Sequence, residues 1–189
     1  MTTRPRSREV EVVLQDGSTV HLCRVTPCNT PAMHQLLTGL SDRSRWLRFF
    51  SGVPNLHKAV QWATEVDNDR RYGLVATAGG DGHIVGHAGW EREPDRPERA
   101  EVALEVADAM QGKGLGTALL CQLADAANQM GIQVFDAEVL PENHRMLRVI
   151  RDCGFPVKVH SLPGVLLVEL RTCLAAKAPK GPEPWDQTA

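Results

Sequence analysis

The sequence predicts a mixed α/β fold of the α+β kind, with one central, mostly antiparallel twisted sheet flanked by helices. Three observations carry this. Helix-period segments fill the first third of the chain, period-two segments follow in a row, and strand and helix then alternate to the end. A run with three glycines in five positions, QGKGLG from Gln111 to Gly116, stands directly before the most strongly patterned helix. The 189 residues, 42% hydrophobic and 23% charged, suffice for one core, and no internal repeat marks a second domain. Residues 1–174 read as a single domain. Residues 175–189, rich in Lys, Pro and Ala, read as a mobile tail.

Taken in order, residues 9–25 alternate weakly on either side of Asp16-Gly17. That pair supplies the positive φ a tight turn needs, so the segment reads as a β-hairpin. Residues 30–40 read as a helix, with Pro31 near its first position and Met33, Leu36, Leu37 and Leu40 at helical spacing. The string LSDRSRWLRFF continues as a second helix that Ser41 caps, with Trp46, Phe49 and Phe50 on an apolar face. Residues 56–66 form a third helical segment, closed by the polar stretch 67–70. The period then changes. Residues 72–78 and 84–90 read as strands joined through Gly79-Gly80-Asp81-Gly82, and 99–107 as a third. Residues 115–130 carry Leu115, Ala118, Leu119, Leu123, Ala126 and Ala127 in the helical pattern, and Gly131 ends the helix. A strand over 132–139, a helix over 143–153 and a closing strand pair over 155–160 and 164–170 complete the chain.

Composition excludes several classes. The formal net charge of -2 argues against a dedicated nucleic-acid binder, which presents a strongly basic face. No stretch approaches the ~18 consecutive apolar residues of a membrane-spanning helix. Residues 1–10 are polar and Arg-rich, without the apolar core of a signal peptide. Cys23, Cys28, Cys121, Cys153 and Cys173 form no CxxC pair, so they read as reduced, buried small hydrophobes of a cytosolic protein. His87, His144 and His160 fall in no HExxH or Cys/His spacing, and no metal site is expected.

Glycine inside a regular element costs roughly 0.5–1 kcal/mol relative to alanine, so three together need a local reason. Amides at a helix N-terminus lack partners and carry the positive end of the helix dipole; glycines let an anion reach them with no Cβ in the way. The P-loop string GxxxxGK[ST] does not occur. A dinucleotide fingerprint needs GxGxxG/A early in a βαβ unit, with an acid about 20 residues on. Asp136 stands at roughly that distance, but Gly112, Gly114 and Gly116 form GxGxG and arrive after helices and three strands. The remaining pattern is Q/R-x-x-G-x-G/A, here Gln111 to Gly116. Together with a second string, ENHRMLRVIRDCGF from Glu142 to Phe155, it resembles the GNAT superfamily of acetyl-CoA-dependent N-acetyltransferases. Members commonly carry an Asn at the start of that helix and a Gly-Phe after it, as Asn143 and Gly154-Phe155 stand here. The resemblance spans about residues 20–170 as topology and 99–155 as motif. LSDRSRWLRFF, preceded by the hairpin VVLQDGSTVHL, is similar to the N-terminal part of bacterial protein lysine acetyltransferase catalytic domains.

The resemblance implies a sheet with splayed strands and a set of roles. Main-chain groups of Leu104, Glu105 and Val106 would meet the pantetheine arm and acetyl carbonyl of acetyl-CoA. Gln111, Gly112, Lys113, Gly114, Leu115, Gly116 and Thr117 would hold its pyrophosphate, with Lys113 adding charge or simply solvated. Asn143 would bond the pantetheine or diphosphate region, cap its helix, or both. An amine must lose a proton to attack, and either Glu101 or Glu105 in RAEVALEV would take it. The resemblance favours Glu101, and the two share a face only if the strand has no bulge. Where many members place a general-acid Tyr, this chain has Ile150, and its only tyrosine is Tyr72. A thiol departs acceptably as thiolate, so activity does not require that Tyr. The implied reaction is acetyl transfer to a primary amine by direct attack in a ternary complex, in a monomer or homodimer. A protein lysine is one acceptor. A polyamine, antibiotic or amino-acid amine, met by Glu65, Asp67 and Asp69, is another. An acyl-CoA-binding sensor without turnover is a third reading.

Overall fold

The computed structural model describes residues 9–79 and 82–173, so the tail 175–189 lies outside the described residues. Its strands are β1 (Val10–Val13), β2 (Thr19–Arg24), β3 (Arg71–Ala78), β4 (His83–Arg92), β5 (Arg99–Val106), β6 (Val134–Val139), β7 (Val157–Leu162) and β8 (Val165–Arg171). They form one sheet in the order β1-β2-β3-β4-β5-β6-β8-β7. Every neighbouring pair is antiparallel except β5 with β6. The helices are α1 (Thr30–Gly39), α2 (Asp42–Phe49), α3 (Leu56–Thr64), α4 (Leu115–Gln129) and α5 (His144–Asp152).

The sheet separates two apolar cores. On one face, Leu119, Leu120 and Leu123 of α4 pack on Leu74, Ala88, Trp90 and Phe135, with Ile150 of α5 beside them. On the other, Met33, Leu36 and Leu37 of α1 and Val60 and Ala63 of α3 cover Val25, Val75 and Ile84. Each fully buried aliphatic side chain stabilises by about 1.5–3 kcal/mol, which outweighs the modest helix propensities involved.

The local signals act where the sequence places them. Ser41 caps α2 by accepting a hydrogen bond from Ser44 N at 3.3 Å, and Gly131 leaves α4 at φ 81°. Some boundaries move. β6 begins at Val134 because the amides of Gln133 and Val134 both turn to Glu98 O, at 2.7 and 3.2 Å. β7 begins at Val157 because Gly154, at φ 72°, and Pro156 are used in leaving α5.

Two expectations fail outright. α2 buries no residue, and Trp46 is 45% exposed. With Asp42, Arg43, Arg45 and Arg48 among its eight residues, this helix is held by polar contacts rather than by an apolar face. Phe49 alone of the three aromatics joins the second core. The cysteines are not buried either: Cys23, Cys121 and Cys153 are half-buried, Cys28 and Cys173 exposed, and all five are free.

Candidate active site

β5 and β6 pair over only three rungs, Arg99–Val134, Ala100–Phe135 and Glu101–Asp136. Beyond them β5 stays bonded to β4 as far as Val106, and β6 to β8 as far as Val139. Each strand follows its outer neighbour, so a wedge opens between them. It forms a cleft of about 560 Å³ between Val102–Val106 on one arm and Ala137, Glu138 and Val139 on the other. Gly112, Gly114, Gly116, Thr117 and Asn143 line one end, and Ser44, Leu47 and Arg48 of α2 line a wall.

The three glycines serve different ends. Gly112 and Gly114 take φ 77° and 89°, a left-handed conformation that costs other residues roughly 1–2 kcal/mol. They turn the chain from β5 into α4, whose first-turn amides then face the cleft with no intrahelical acceptor. Gly116 is helical and makes room: a Cβ there would sit 3.0 Å from Val149 Cγ2 of α5. The N-terminal hairpin braces the turn, since Gln15 N donates to Lys113 O at 3.0 Å and Lys113 Nζ pairs with Asp16 at 3.0 Å. Hydrogen bonds from Ser18 and the pairing with Lys113 hold Asp16 well below the usual carboxylate range, at about 2. Lys113 is therefore committed to the hairpin.

Asp108 ties α2 to the cleft. It accepts from Ser41 N (2.8 Å), Ser41 Oγ (3.0 Å) and Ser44 Oγ (2.6 Å). Burial pushes this carboxyl up, but those bonds outweigh it and keep it below its ordinary value. Gln111 extends the network by donating to Val106 O at 3.0 Å and accepting from Arg145 of α5. Asn143 caps α5, accepting from Met146 N at 3.1 Å, and also lines the cleft.

The two candidate bases share one face, because β5 runs in unbroken register against β4; the bulge falls instead at Val85, opposite Ala76/Thr77. Their surroundings differ. Glu105 is 6% exposed, accepting from Arg48 Nε at 2.6 Å and from His87 Nδ1 at 2.7 Å. Burial alone would raise its pKa; Arg48 and His87 override that and hold it at about 2. An anionic carboxylate only accepts, so His87 donates through Nδ1. Its Nε2 is buried without a partner among the described residues and lies over Gly73 and Gly89, where added Cβ atoms would come within 3.2 and 3.1 Å. Glu101 is exposed, and no ion pair or hydrogen bond holds it among the described residues.

Of the residues singled out from sequence, Leu104, Glu105, Val106, Gln111, Gly112, Gly114, Gly116, Thr117 and Asn143 line the cleft. Leu115 lies in the core, 1% exposed, and Lys113 and Glu101 stand outside the lining, Glu101 on the last paired rung. Asp67, Asp69 and Glu65 do not face it: Asp67 accepts from Asp69 N and Arg71 N in its own turn, and Glu65 accepts from Gln61. Tyr72 is buried against Trp90, with ring centroids 4.4 Å apart, and Ile150 is core. Sequence reasoning missed Arg48 and Glu138 and gave His87 no partner; all three join the site only through strand pairing and the placement of α2.

A splayed sheet whose wedge ends at a glycine turn and helix N-terminus defines the GNAT-type N-acetyltransferase class. Residues 42–155 match the "Acetyltransferase (GNAT) family", and the chain belongs to it. The chain is 29% identical over 178 residues to "Acetyltransferase Pat" of Mycolicibacterium smegmatis, covering 94% of itself and 53% of that protein. It thus spans about half the length of this curated relative. Among solved structures it is similar to the GNAT domain of S. lividans PAT, with 34% identity and TM-score 0.77, covering 86% of this chain and 96% of that one. It is also similar to a cAMP-binding acyltransferase from Mycobacterium smegmatis, with 26% identity and TM-score 0.62, covering 93% of this chain and 51% of that one.

Proposed function

We propose that this protein transfers the acetyl group of acetyl-CoA to a primary amine, a protein lysine side chain, by direct attack within a ternary complex. The wedge between β5 and β6, ending at the first turn of α4, is the observation that carries the reading. The residues present suit the coenzyme: the amides after Gly114 receive its diphosphate, and the unpaired inner edge of β5 over 102–106 receives the amide-bearing arm. Bound there, acetyl-CoA supplies the thioester that an amine attacks.

Glu101 takes the proton from the attacking amine, directly or through water. It is exposed and unpaired beside the splay, whereas Glu105 has one oxygen engaged by Arg48 and the other by His87, and is too weak a base. Glu105 is a positioning residue that fixes Arg48, and so α2, against the cleft wall. No Tyr is placed to protonate the departing sulfur, which leaves as thiolate or takes its proton from water. The similarity of LSDRSRWLRFF and the hairpin before it to bacterial protein lysine acetyltransferase catalytic domains supports a protein acceptor, and Asp67 and Glu65, held in contacts of their own, give a polyamine no acidic wall.

An acceptor panel read by coenzyme A release tests this: lysine peptides are expected to turn over well above spermidine or free amino acids. The reverse ranking would move the acceptor to a small amine. Binding of acetyl-CoA without release for any amine would make the chain a sensor.

A further inference from the structure

Cys121, in the second turn of α4, and Cys153, at the C-terminal end of α5, have no part in the chemistry above. Their sulfurs nonetheless stand 3.1 Å apart. Both side chains are half-buried, so a small oxidant can reach them, and neither lines the cleft. The thiols are not equivalent. The contact between them pushes Cys121 below the ordinary thiol value and, with burial, pushes Cys153 above it. That gives one sulfur the character of an attacking thiolate and the other that of a resolving thiol.

We propose that Cys121 and Cys153 are a redox-active dithiol that hydrogen peroxide closes into a disulfide stapling α4 to α5. The Cys121 thiolate attacks a peroxide oxygen. The O–O bond breaks, an S–O bond forms, and one water leaves once the expelled hydroxide takes a proton. The sulfur has then lost two electrons to become a sulfenic acid. Cys153 gives up its proton and attacks that sulfur; the S–S bond forms, the S–O bond breaks, and a second water leaves. Two thiols and one peroxide become one disulfide and two waters.

Closure has a structural consequence. A disulfide is about 2.0 Å long, so the sulfurs must draw together by roughly 1 Å. The helices have little slack for this, since α4 and α5 lie so close that a Cβ added at Gly116 would come within 3.0 Å of Val149 Cγ2, and Cys153 Sγ lies 3.7 Å from Thr117 O. The strain falls on the first turn of α4, the seat of the diphosphate in the proposed function, on which this step rests. The disulfide weakens acetyl-CoA binding several-fold.

The test uses the full chain with Cys23, Cys28 and Cys173 replaced by Ser, treated with hydrogen peroxide. Peptide mapping is expected to show a 121–153 link, lighter by two hydrogens and removed by dithiothreitol. Adding Cys153→Ser is expected to abolish the link and leave Cys121 as sulfinic acid. Sulfinic acid at Cys121 without a link, when Cys153 is present, overturns the dithiol. A link with unchanged acetyl-CoA affinity by calorimetry overturns the coupling to the cleft. Failure of acetyl-CoA to bind either form overturns the coenzyme reading, while the mapping still decides the dithiol by itself.

Discussion

Glu101 and Glu105 lie on one face of β5, and the strand places them in opposite electrostatic regimes. Glu105 is buried between Arg48 and His87, with both oxygens engaged. Glu101 sits in the middle of a charged row that crosses the sheet by direct strand pairing: Arg71, Glu91, Glu101, Asp136, Glu169, Lys158. Its acidic neighbours are neutralised, Glu91 by Arg70 and Arg71, Asp136 and Glu169 by Arg99. Glu101 alone among those carboxylates has no cation beside it in the described residues. Identical side chains thus divide between a fixed anion that organises a wall and one that stands open beside the splay.

The largest expected effect falls on the fixed end. Glu105→Ala leaves Arg48 without its carboxylate and the buried His87 Nδ1 without its acceptor, and breaking such a pair costs about 3 kcal/mol. A lower urea midpoint at unchanged m-value is the expected result. A midpoint near wild type would mean that Glu105 is not holding Arg48 and His87 together.

At the free end, Glu101→Gln keeps shape and removes the carboxylate proposed as base. Turnover at neutral pH is expected to fall about 100-fold, the low end for a lost general base. The urea midpoint and acetyl-CoA affinity are expected to stay at wild-type values, because no ion pair or hydrogen bond holds this side chain among the described residues. If Glu105→Gln lost turnover without stability, and Glu101→Gln lost neither, the assignment of the two roles would be reversed.

How much of this contrast was legible beforehand follows from where each interaction lies along the chain. The glycine turn, the Ser41 and Asn143 caps and the α4 pattern are local: left-handed φ values, capping oxygens and helical spacing are written within a few residues. The shared face of Glu101 and Glu105 was legible on the condition of a regular strand, and β5 meets it. What the sequence could not display is the company each carboxylate keeps. Arg48 is 57 residues from Glu105 and His87 is 18, joined by the docking of α2 and the β4–β5 register. Trp46 misled for a related reason. Its spacing suits an apolar face, but α2 is anchored through Ser41, Ser44 and Asp108, and only Phe49 at its end reaches a core.

Titration tests the fixed acid without altering geometry. Glu105 is held at about 2 in the folded state, against 4.5 as its ordinary value. A carboxyl depressed on folding contributes stability that is whole above the unfolded value and vanishes as pH falls through the folded one. The stability difference between wild type and Glu105→Gln is therefore expected to be constant above pH 4.5 and to shrink as pH drops toward 2. A Glu105 difference that persisted at pH 2.5 would assign the loss to packing instead of charge.

The smallest expected effect comes from changing the shape of the cation while keeping its charge. Arg48 reaches Glu105 through Nε and also stacks on Phe49, 4.9 Å from the ring centroid. Arg48→Lys preserves attraction to the carboxylate but loses the planar group that makes both contacts at once, a difference of about 1 kcal/mol. Turnover is expected to move little, because Glu101 and its row do not include Arg48. A tenfold or larger loss of turnover at near-normal stability would show that the wall of α2 directs the acceptor amine, and would extend the site from the β5 rim to the arginine itself.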